Sequence, residues 1–133
     1  MFEKAVEVAG KTVLITGGAR GMGKLWAEHF AGDGARLVLW DLDEGALDET
    51  EASFTARGWD VFTQVVDVTK RSNVYYAAEQ VAEQFGVVDI LVNNAGVVAA
   101  GNFLDMADKK LEATIDVDLK ALIWTIKAFL PNM

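Results

Sequence analysis

The sequence of 133 residues contains no cysteine, a single proline and a single histidine. Without cysteine there is no disulfide, no thiolate metal site and no thiol nucleophile. Positive charge is also scarce: 12 Lys and Arg stand against 20 Asp and Glu, a formal charge of −8. Such a chain repels the phosphate backbone, and its basic residues are scattered rather than gathered in a patch, which argues against a nucleic-acid partner. No apolar run approaches the length of a membrane span. The first ten residues, Met1 to Gly10, carry Glu3 and Glu7 instead of an apolar leader core. No membrane partner is expected, and the expected location is cytoplasmic.

With 52% hydrophobic and 24% charged residues the chain has the make-up of a folded domain, so its length predicts one domain. Four short β-type runs, Thr12 to Thr16, Arg36 to Trp40, Val61 to Val66 and Val88 to Val92, alternate with amphipathic helical stretches. That alternation predicts a parallel sheet covered by helices on both faces. Three runs are almost continuously apolar, as strands buried on both faces must be. The third is mixed and reads as an edge strand.

Between the strands, the first helix places Leu25, Trp26 and Phe30 on one face and stops at Gly32 and Gly34. His29 lies on that stripe and reads as structural. A second helix begins with Asp43 as N-cap and runs to about Arg57, with Gly58 as its stop. A third, capped by Thr69, carries Val74, Ala78, Val81 and Phe85 on one stripe before Gly86. The last helix, about Asp108 to Leu130 and closed by Pro131, is apolar around most of its circumference. Such a helix must be covered on more than one side.

Directly after the first strand stands Thr16-Gly17-Gly18-Ala19-Arg20-Gly21-Met22-Gly23, followed at once by a helix. A strand, a glycine turn and a helix N-terminus in that order make an anion cradle. Unpaired backbone N–H groups and the helix dipole point at a phosphate, and glycine lets it come close. Gly18 to Lys24 also reads as the front of a nucleoside-triphosphate loop. The next residue is Leu25, though, where a Ser or Thr hydroxyl should reach a magnesium ion, so that reading is rejected.

At the end of the second strand, 18 residues beyond Gly23, sits Asp41. A carboxylate there suits the two hydroxyls of an adenosine ribose and repels a 2′-phosphate, which favours NAD. Arg20, beside the same loop, could partner a 2′-phosphate, so NADP stays open.

These residues resemble the short-chain dehydrogenase/reductase family along essentially the whole chain. The family's T-G-x-x-x-G-x-G pattern matches Thr16 to Gly23, its N-N-A-G motif matches Asn93-Asn94-Ala95-Gly96, and its adenine-contacting pair matches Asp67-Val68. The resemblance implies a Rossmann-type doubly wound sheet with the four strands in the order 3-2-1-4. It implies a cofactor site of Thr16, Gly17, Arg20, Gly21, Met22, Gly23, Asp41, Asp67, Val68, Asn94, Ala95 and Gly96. Thr16 would brace the N-N-A-G turn. The activity implied is hydride transfer between nicotinamide and an alcohol or ketone.

Two departures qualify this. Where the family has an asparagine in the proton relay, Val117-Asp118-Leu119 has an aspartate. Asp118 keeps the shape but loses the amide donor, and a buried carboxylate without a partner would be partly protonated, changing the pH dependence. The family's Y-x-x-x-K segment is also missing: Tyr75 and Tyr76 have no lysine four residues on. The chain therefore reads as an incomplete dinucleotide-binding domain, inactive alone, that forms a homo-oligomer or associates with a missing C-terminal half. A dinucleotide-binding or assembly module without chemistry is the alternative. No metal is implied.

Overall fold

The computed structural model describes residues 7–133, so the expectation resting on Glu3 lies outside it. Four parallel strands form one sheet: β1 (Thr12–Thr16), β2 (Arg36–Asp41), β3 (Val61–Val65) and β4 (Ile90–Asn93), in the order β3-β2-β1-β4. The register sets Leu14 beside Val38 and Leu91, and Thr16 beside Trp40 and Asn93. The mixed strand β3 is at one edge, with β4 at the other.

Alternation along the central strands divides the core into two layers. Val13, Ile15, Leu37 and Leu39 point to one face, where Ala27, Ala31, Leu47 and Phe54 of α1 (Gly21–Gly32) and α2 (Glu44–Ala56) cover them. Leu14, Val38 and Trp40 point to the other. There they meet Val74 and Val81 of α3 (Arg71–Phe85) and Phe129 of α5 (Ala121–Phe129). Every residue of β1 is buried.

Several element details differ from the sequence expectation. The buried residues of α1 are Gly23, Ala27 and Ala31, while Leu25 and Trp26 are exposed. Small residues at every fourth position let this helix lie close to the sheet, which leaves the large apolar residues and His29 outside; only Phe30 packs partly against the core. The cap position of α3 is Lys70 rather than Thr69, because the Thr69 hydroxyl donates to Asp67 Oδ1 (2.6 Å). Its buried line is Val74, Ala77 and Val81. The fourth strand starts two residues later than expected, at Ile90, and ends at Asn93.

The long final helix runs over its expected span but is not α-helical throughout. It consists of α4 (Asp108–Ile115), one wide π turn (Asp116–Lys120) and α5, and Pro131 falls in a closing 3₁₀ turn (Leu130–Asn132). α5 buries Ala121, Thr125 and Phe129; Ile115, Leu119, Ile123, Ile126 and Leu130 remain exposed. Among the described residues, no helix is long and apolar enough to cross a membrane.

Candidate functional site

The carboxyl ends of β1, β2 and β4 and the segment after β3 meet at one crevice, as parallel strands dictate. It holds a cavity of about 260 Å³ whose lining includes Gly17, Arg20, Asp41, Asp67, Val68, Asn94, Ala95 and Gly96. Eight residues singled out in the sequence thus surround one space. Trp40, Leu42, Val66, Thr69, Val97 and Val117 complete the wall. These six carry no motif, and only the tertiary fold reveals them. Thr16, at the end of β1, and Gly21, Met22 and Gly23, in the first turn of α1, are not wall residues.

The turn after β1 is held from three sides. Thr16 Oγ1 accepts the backbone N–H groups of Asn94 (3.1 Å) and Ala95 (3.0 Å). The Asn94 carboxamide donates back to the carbonyls of Thr16 and Gly17, both at 3.1 Å. From the other side, the Ala19 peptide is clamped by two groups. Its N–H donates to Asp41 Oδ2 (3.1 Å), and its carbonyl accepts the buried hydroxyl of Thr50 (3.0 Å). Asn93, one position earlier in the N-N-A-G turn, accepts from Thr125 Oγ1 (2.7 Å), tying β4 to α5. Thr50 and Thr125 escape sequence reasoning because neither stands in a motif.

Gly23 allows this packing. A Cβ there would lie 2.1 Å from the Gly17 carbonyl oxygen and 2.6 Å from Asn94 Nδ2. Gly17 and Gly21 adopt φ of +67° and +54°, the left-handed region that glycine tolerates.

Three observations fit a dinucleotide phosphate and ribose. First, α1 begins at Gly21 with no side-chain cap, and its first helical amide bond runs from Lys24 N–H to the Arg20 carbonyl (3.2 Å). The N–H groups of Gly21, Met22 and Gly23 precede that bond and have no acceptor within the helix. Second, a Cβ on Gly21 would meet nothing within 4 Å, so the space beside the first residue of α1 is open. Third, Asp41 lines the cavity while accepting, among the described residues, from two amides, those of Ala19 and Asp43 (both 3.1 Å). An ionised carboxylate has about four acceptor positions, so two are left for hydroxyl donors.

Asp118 occupies the centre of the π turn. It is exposed, and its Oδ1 accepts the backbone N–H of Val97 (3.0 Å). The expectation of a buried carboxylate lacking a partner is therefore corrected. π turns recur at functional sites, because they turn one residue out of the helical register.

The fold and crevice define a doubly wound α/β domain of the Rossmann type. A model of the short chain dehydrogenase family matches residues 11–133, and the chain belongs to that family. It is 45% identical over 126 residues to estradiol 17-beta-dehydrogenase 11 of Macaca fascicularis, covering 95% of this chain and 42% of the relative. It is 47% identical over 127 residues to epidermal retinol dehydrogenase 2 of Mus musculus, covering 95% and 41%. The chain spans less than half the length of these relatives. Among solved structures, a short chain dehydrogenase/reductase of Burkholderia phymatum in complex with NAD superposes with TM-score 0.92 at 35% identity, covering 100% of this chain and 46% of the other. L-sorbose reductase of Gluconobacter frateurii, complexed with NADPH and L-sorbose, superposes with TM-score 0.91 at 32% identity, covering 98% and 50%.

Proposed function

We propose that this chain binds NAD(H) in preference to NADP(H) and serves an oxidoreductase that interconverts an alcohol and its carbonyl compound. The observation that carries this reading is Asp41, which lines the same cavity as Gly17 and Arg20 of the glycine loop and Asp67-Val68 and has acceptor capacity left for ribose hydroxyls. A 2′-phosphate would place like charge beside it. The named activities of the relatives, estradiol and retinol dehydrogenation, support an apolar alcohol as the substrate class.

The chain's own residues bind and orient. The first-turn amides of α1 receive the diphosphate, and Gly23 keeps β1, the loop and Asn94 close enough to hold those amides in place. Asp67 and Val68 border the adenine end, and Asn94 to Gly96 form the opposite wall. When bound, the dinucleotide supplies or accepts the hydride at the substrate carbon.

A second reading, a binding module without turnover, is favoured by one feature. Tyr75 and Tyr76 lie on α3 with Glu79 and Gln80 four residues on, so no tyrosine here has a lysine one helical turn away. The 133-residue chain then binds dinucleotide but does not turn over alcohols. Titration with NADH, read by nucleotide fluorescence, combined with an NAD-reduction assay over apolar alcohols, separates the two. Saturable binding with no turnover supports the module, turnover supports the enzyme, and absence of binding overturns both.

We also propose self-association through the exposed stripe of Ile115, Leu119, Ile123, Ile126 and Leu130. Its support is an apolar face three to four residues in period that the described residues leave uncovered.

A further inference from the structure

Among the described residues, Arg20 is the one cation on the wall of the dinucleotide cavity, and it also lines a neighbouring polar groove between the N-termini of α1 and α2. It can therefore be presented to either space. In the structure its guanidinium donates to Asp43 Oδ2 in an ion pair. Asp43 is itself held on both sides. Its backbone N–H donates to Asp41 Oδ1 (3.1 Å), and its Oδ1 accepts Ala46 N–H (2.9 Å) as the N-cap of α2. The ribose-side carboxylate thus positions Asp43, and Asp43 positions Arg20.

We propose that Asp43 is a positioning residue that sets cofactor specificity by holding Arg20 on the α2 side and cancelling its charge. The inference rests on the reading of this crevice as a dinucleotide site. An adenosine ribose held at Asp41 would bring its hydroxyls beside that carboxylate, and a phosphate on the 2′ hydroxyl would need a cation nearby. With Arg20 engaged, the local groups are Asp41, Asp43 and a neutralised guanidinium, so a 2′-phosphate meets net negative charge. Lys24 and Glu49 line the same groove. Removing the Asp43 charge leaves Arg20 and Lys24 against a single acidic neighbour in that groove, which suits a phosphate dianion.

The pair is exposed, with side-chain exposures of 63% and 46%, so its contribution to folding is small and its loss should not unfold the chain. D43N keeps an oxygen that can accept Ala46 N–H and removes only the charge; D43S, also a good N-cap, is the second variant. The 133-residue chain and its variants are titrated separately with NADH and NADPH at low salt, with far-UV circular dichroism as the check on folding.

The expected result is that D43N and D43S bind NADPH about tenfold more tightly than the unsubstituted chain, as a new charge-assisted contact provides. NADH affinity changes less than about twofold, and R20A in the D43N background abolishes the gain. A uniform weakening of both dinucleotides, or an NADPH gain that survives R20A, would overturn the inference while leaving the dinucleotide reading standing. If the unsubstituted chain binds neither nucleotide, the reading beneath it falls, and the inference with it.

Discussion

Thr16 and Asn94 hold each other from both ends. The threonine hydroxyl accepts the asparagine's backbone N–H at 3.1 Å, and the asparagine carboxamide donates to the threonine carbonyl at 3.1 Å. Two strands that are neighbours in the sheet are thereby locked together at their carboxyl ends, where the crevice opens.

Replacing Thr16 with valine keeps the volume but leaves the N–H groups of Asn94 and Ala95 without their acceptor. T16V should lose about 2 kcal/mol of stability in urea denaturation, and T16S should recover most of it. A loss as large in T16S would show that the methyl group, not the hydroxyl, carries the effect.

Two glycines of α1 should respond unequally to alanine. At Gly23 the new Cβ would lie 2.1 Å from the Gly17 carbonyl oxygen, a backbone atom that cannot step aside cheaply. G23A should cost about 1–3 kcal/mol and abolish NADH binding. At Gly32 nothing lies within 4 Å, and G32A should leave stability within about 0.5 kcal/mol and binding intact. Equal effects at the two positions would refute the close-packing account of Gly23.

The pH dependence of stability has an identifiable contributor at the opposite end of the sheet. Asp89 Oδ2 accepts Thr12 N–H (2.9 Å), and Lys11 Nζ lies 3.5 Å from Oδ1. The Thr12 hydrogen bond chiefly, with Lys11 adding, holds this carboxyl below the usual aspartate value. A depressed folded-state value means stability that is present above the unfolded value, about 3.9, and is lost as pH falls through the folded one. The carboxylate is partly exposed, so the effect is modest. D89N should be less stable than the unsubstituted chain at pH 7 and converge with it as pH falls below about 3.9. Parallel stability curves across that range would exclude Asp89 as the contributor.

Charge placed in the apolar stripe of α4 and α5 should block self-association. Light scattering at micromolar concentration should give a mass above the monomer for the unsubstituted chain and a monomer for the double variant L119K/I123K. A monomer in both cases would remove the support for association.

Much of the architecture was legible from local signals. Apolar runs of strand length, separated by helical stretches with glycine stops, lead to a parallel sheet. The glycine loop, Asp41, Asp67-Val68 and Asn94 to Gly96 fall on the carboxyl ends because a parallel sheet puts every strand–helix connection on that side. Other features were not local. The inner face of α1 is lined by Gly23, Ala27 and Ala31, and hydrophobicity alone ranks Leu25 and Trp26 above them. What decides is how close the helix must come to the sheet. The π turn at Asp116–Lys120 interrupts a pattern that reads as one unbroken helix.

The sequence by itself determined the strand order implied by the family pattern, the cradle at the first helix and the acidic residue at the end of β2, since each depends on residue type at short spacing. Only the tertiary structure decided what those residues are bonded to. Asp41 braces Ala19 and Asp43 as well as lining the cavity, the Asn94 carboxamide serves as a strut, Asp118 meets Val97, and Arg20 is held by Asp43. These partners lie 21 to 78 residues apart in the chain, save for the two-residue step from Asp41 to Asp43. Hydrogen bonds act over about 3 Å of space, so they form only where the fold has already brought distant segments together.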